Sequence, residues 1–197
     1  MKRLTLVATI LALTAACSGN PPVPEDRFYR LPVPTAAEGV SGLATGPIFV
    51  EQFIADGVHR ERAIVYARNR ASTELLQYHY QYWIDSPTRL VRDHLADYLR
   101  AGNAAGLVSS APDVQAELSI FGRIRHFEFV EGSGGGEAVV GLEFRVDRLG
   151  HDTPLLIRVY EERSDSADDS MNGAVAAFGA ALTRIYGRLV TDIRANL

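Results

Sequence analysis

The sequence predicts an α/β domain in which two helices cover one face of a mostly antiparallel sheet. Three observations lead there. Val140, Leu142, Phe144 and Val146 alternate with Glu143, Arg145 and Asp147, the period-two pattern of a half-solvated strand over Ala138–Asp147. Turn-forming stretches flank it, the glycine-rich Glu131–Glu137 on one side and Arg148–Pro154 with Gly150 on the other. It therefore pairs as antiparallel hairpins with Glu117–Val130 before it and Leu155–Glu162 after it. Third, Val175, Phe178, Leu182, Ile185, Leu189 and Ile193 recur at steps of three or four from about Asn172 to Ala195, the stripe of a long amphipathic helix.

The remaining elements follow in chain order. Phe28–Leu31, Pro47–Phe53 and Ala63–Ala67 are short β-rich runs, the first two joined by the Gly/Ala/Ser/Thr-rich Thr35–Gly46. From Leu75 to Ile84 the pattern alternates again, with Leu76, Tyr78, Tyr80, Tyr82 and Ile84 on one side and Trp83 on the other. Ser86 and Pro87 then start a helix as N-cap and first helical residue, since proline has no N–H to leave unpaired there. Leu90, Val91, Leu95, Tyr98 and Leu99 give its buried face and Gly102 its stop. After the loop Gly102–Asp113 come the three paired strands. Asp165, Asp168 and Asp169 suit the positive end of the last helix, and Gly179 with its neighbouring alanines is expected to let that helix approach the sheet closely.

The first 16 residues are read as a signal peptide: Lys2 and Arg3, then an uncharged apolar run from Leu4 to Ala16, too short for the roughly 20 residues of a spanning helix. Leu13-Thr14-Ala15-Ala16-Cys17 resembles the lipobox of bacterial lipoproteins, with Thr14 where leucine is usual. That resemblance implies lipidation of Cys17, with a diacylglyceryl thioether and an acylated amino group, and two or more acyl chains anchor stably. Residues 17–27 form the lipidated tether, with Pro21, Pro22 and Pro24 favouring an extended spacer, and 28–197 form the domain. Serine at position 18, where aspartate would retain an enterobacterial lipoprotein at the inner membrane, points to the periplasmic leaflet of the outer membrane.

Hydrophobic content of 47% with 22% charge marks a folded chain, and a formal net charge of −4 without a basic stripe argues against nucleic acid as a partner. With the single cysteine committed to lipid, the domain has no thiol for a disulfide or a mechanism. The histidines at 59, 79, 94, 126 and 151 show no metal-ligand spacing, so neither metal nor cofactor is expected. Gly132–Gly136 lacks the lysine and hydroxyl of a phosphate loop, Ser41, Ser109 and Ser110 lack a nucleophile elbow, and Asp165–Ser170 lacks the glycine and glutamate of a calcium loop. The expectation is a protein that is not an enzyme. Tyr78, Tyr80, Tyr82 and Trp83 are the candidate partner-binding residues, aromatic enrichment being typical of protein interfaces.

Taken with the lipobox, the residues Tyr29-Arg30-Leu31, Ile64-Val65-Tyr66-Ala67-Arg68, and the aromatic strand ending at Trp83 before Ser86-Pro87 resemble the ABC-type transport auxiliary lipoproteins, which include the paraquat-inducible protein C group. The resemblance runs from about Phe28 to the final helix. It departs at His59-Arg60-Glu61-Arg62, where the family often has Asp-Arg-Pro, and after Trp83. What it implies is an accessory component of an MCE/ABC-type intermembrane lipid transport system, docking the periplasmic MCE assembly at the outer membrane. The implied partners are an MCE-domain protein, ABC transporter components and, through the lipid, the membrane. The rivals are an envelope-assembly lipoprotein without a transport role and a lipid-anchored hydrolase.

Overall fold

The computed structural model describes residues 24–111 and 115–197. The signal peptide and Cys17 lie outside them. Strands β1 (Arg27–Tyr29), β2 (Ile48–Val50), β3 (Ile54–Ala55), β4 (Ala63–Ala67) and β5 (Leu76–Trp83) precede helix α1 (Pro87–Ala101). Then come β6 (Val108–Ser109), β7 (Leu118–Val130), β8 (Glu137–Arg148), β9 (Leu156–Asp165) and helix α2 (Met171–Asn196).

The meander β7–β8–β9 forms as the alternation predicts, antiparallel along its length, with Gly134 and Gly135 taking the positive φ that its first turn needs. The expectation of a mostly antiparallel sheet is corrected. The sheet is mixed and curls into a half-barrel: β2, β3 and β4 lie end to end along the other edge of β7, all parallel to it, and β1–β5 and β2–β6 are parallel too. The physical reason is the route of the chain. β4 and β7 are not joined by a tight turn: the chain reverses into β5, antiparallel to β4, and only after α1 and β6 returns as β7 beside β4 and in its direction, which a hairpin cannot do. Phe53 turns from the break between β2 and β3 into the core, edge-on to Phe144 at 5.9 Å.

Both helices pack on the same face of the sheet and on each other, with the buried Tyr186 hydroxyl of α2 donating to the Val91 carbonyl of α1 at 3.1 Å. All six stripe residues of α2 are buried there. Gly179 meets the Pro32 side chain and not a sheet strand: a Cβ would collide with that ring, so the glycine accommodates the segment after β1. Ser86 holds the N-cap position of α1 without a side-chain capping bond, whereas Ser170 caps α2 by accepting from the Gly173 N–H at 3.0 Å. Gly102 stands at the C-cap of α1, where a Cβ would strike Val40.

Candidate functional site

Strand β9 is a sheet edge, hydrogen-bonded to β8 on one side only. Its side chains alternate as the pleat requires. Tyr160 and Glu162 turn toward α2, while Ile157 and Val159 stand on the opposite face, 62% and 46% exposed. Half of the free edge is closed by the helix: Arg184 donates to the Arg163 carbonyl at 2.9 Å and Arg188 to the Glu161 carbonyl at 2.8 Å. Glu162 holds both arginines at 3.0 Å, and Asp192 accepts from Tyr160 at 2.6 Å and pairs with Arg158 at 2.7 Å. Burial, reinforced by that bond, pushes the Tyr160 phenol above its usual range, and the same hydroxyl is the main cause holding Asp192 below the usual carboxylate range. The outward backbone groups of an antiparallel edge belong to alternate residues, so those of Ile157 and Val159 face the same way as the two capped carbonyls. Among the described residues nothing pairs with them. The result is a strand whose C-terminal half is blocked and whose N-terminal half is open beside a groove of about 650 Å³.

The structure splits the four aromatic candidates. Trp83 is 1% exposed, in the core against Phe127 and Phe178, and cannot touch a partner. Tyr78 stacks on Tyr66 at 4.1 Å and donates to Glu131 at 2.8 Å. Ala63 pairs with Tyr82 but Val65 with Gln77, so the intervening residues bulge and Tyr80 takes φ 64°, unusual for a side chain of its size. Tyr82 stacks on Phe28 at 5.8 Å, under the Arg62 guanidinium. The alternation did not reveal the bulge.

The face away from the helices also gathers charged groups, most of them far apart in the chain. Buried Glu128 lies 3.0 Å from His126 and 3.6 Å from His59. Burial is the main cause that lowers the His59 pKa, against the pull of Glu128. Glu137, also buried, accepts from Arg70 and Arg163 at 2.7 Å; burial acts to raise its pKa, but these bonds outweigh it and hold the group low. Among the described residues no group of three or more His, Cys, Asp or Glu is arranged to hold a metal ion, and no helix is long and apolar enough to cross a membrane.

The sequence model of the ABC-type transport auxiliary lipoprotein component matches residues 29–190. The chain belongs to this family. Structural comparison of the auxiliary lipoprotein agrees in fold: protein XCC0632 from Xanthomonas campestris, of family DUF330, superimposes with a TM-score of 0.74 at 18% identity, over 86% of this chain and 96% of that one. A second, uncharacterized protein gives a TM-score of 0.69 at 14% identity, over 86% and 99%. No curated protein matches the sequence. Family membership makes this a lipoprotein of the bacterial envelope associated with an ABC-type transport system.

Proposed function

We propose that this auxiliary lipoprotein is a non-enzymatic, lipid-anchored component of an MCE/ABC-type intermembrane lipid transport system, docking the periplasmic MCE assembly at the outer membrane through the open end of β9. The observation that carries the reading is the family match across residues 29–190, downstream of the lipobox ending at Cys17. The β9 edge supports the docking part. It offers unpaired backbone groups at Ile157 and Val159, whose apolar side chains are exposed, which an extended segment of a partner can extend as a further strand.

A photo-crosslinking residue at Thr191, which lines the groove beside the open end of β9, in the tagged full-length protein tests this in cells. Capture of an MCE-domain protein or an ABC component, lost when Ile157→Lys and Val159→Lys are introduced, is the expected result. Capture of unrelated envelope factors alone moves the envelope-assembly reading ahead.

A further inference from the structure

Phe28 and Tyr82 are register partners on β1 and β5, so their side chains leave the sheet on the same side, the face away from the helices. The pairing continues past both strands, the Ile84 N–H donating to the Tyr29 carbonyl at 2.8 Å, and this puts Arg30 and Ile84 on that side as well. Phe28 is 54% exposed and Ile84 47%, and the Arg62 guanidinium sits 5.3 Å from the centre of the Phe28 ring. A patch of aromatic and aliphatic surface rimmed by arginines is what a phospholipid interface accepts: rings lie at headgroup level while guanidinium groups reach phosphate.

The chain outside the described residues says which surface is near. Only seven residue steps separate Cys17 from Pro24, and an extended chain spans at most about 3.5 Å per residue, so the start of the domain stays within about 25 Å of the lipidated sulfur. β1 begins three residues later. Such a short linker holds the patch at an effective concentration in the millimolar range, where even weak interfacial affinity is enough. We infer that the Phe28–Tyr82–Ile84 patch rests on the phospholipid surface that carries the lipid anchor, fixing the orientation of the domain on its membrane. This rests on lipidation of Cys17. Asp26 and Glu61 offset Arg62 beside the Phe28 and Tyr82 rings, so contact depends on apolar burial and on phosphate, not on net anionic charge.

The test uses the mature lipidated protein in vesicles of phosphatidylethanolamine and phosphatidylglycerol. Phe28→Cys, Ile84→Cys and, as control, Ile157→Cys each carry an NBD fluorophore. Cys17 is the one native cysteine and its sulfur is held in the diacylglyceryl thioether, so only the introduced thiol takes the label. The expected result is a blue-shifted emission at 28 and 84, quenched several-fold more than at 157 by headgroup spin-labelled lipid, and unchanged when phosphatidylglycerol is varied. Equal, water-like emission at all three positions in protein that floats with the vesicles overturns the inference and leaves lipidation standing. So does emission at 28 and 84 that becomes apolar only when a partner protein is added. Labelling of the wild-type chain at Cys17, or failure to float, sinks the anchoring itself and the inference with it.

Discussion

The two faces of the sheet are made by the same strands and held by different forces. Toward the helices, Trp83, Phe127, Phe144, Phe178, Leu182 and Tyr186 form one closely packed apolar layer. Away from them, among the described residues, Ala67, Val130 and Val139 form a small buried cluster, and the surface is tied by Arg70–Glu137–Arg163, by the His126–Glu128–His59 group and by stacked aromatic rings. The covered face therefore sets stability, and the open face, with the edges it shares, is free to carry interactions.

The largest losses of stability fall in the covered core. Trp83→Ala is expected to cost about 3–5 kcal/mol in urea unfolding, because a ring between Phe127 and Phe178 leaves a cavity. Gly122→Ala, in the middle of β7, drives a Cβ into the Phe53 ring and is expected to cost about 1–3 kcal/mol by the same measurement. On the open face, Glu137→Gln keeps the volume and removes the charge between two arginines that both reach water. About 1 kcal/mol is expected, and a loss as large as that of Trp83→Ala would mean the open face is structural after all.

A smaller effect appears with pH. Burial lowers the pKa of both His59 and His94 below the ordinary 6.5, so the unfolded chain takes up protons first. Their contribution to stability is present above pH 6.5 and is lost as pH falls through that value toward the folded pKa. His94 bonds the Pro32 carbonyl through Nε2 at 3.0 Å, and His94→Gln, which keeps a donor and cannot titrate, should flatten the melting-temperature profile between pH 7 and 5. The smallest effect on stability is expected at the β9 edge. Ile157→Lys with Val159→Lys should shift unfolding by no more than about 0.5 kcal/mol while abolishing capture of the partner, which separates docking from folding.

By itself the sequence determined the local structure. Period two over Ala138–Asp147 and steps of three or four over α2 depend only on which side of an element each residue occupies, so the meander, both helices and the core stripe were legible. The direction of neighbouring strands was not, because alternation is the same for a parallel and an antiparallel neighbour and the choice is made by a crossover that returns β7 beside β2, β3 and β4. Nor was the fate of the aromatic strand. The bulge at Tyr80 and the burial of Trp83 depend on how β5 meets β4 and α2, contacts between residues far apart in the chain. The same holds for the β9 edge, whose carbonyls at Glu161 and Arg163 are closed by arginines that only tertiary packing brings within reach.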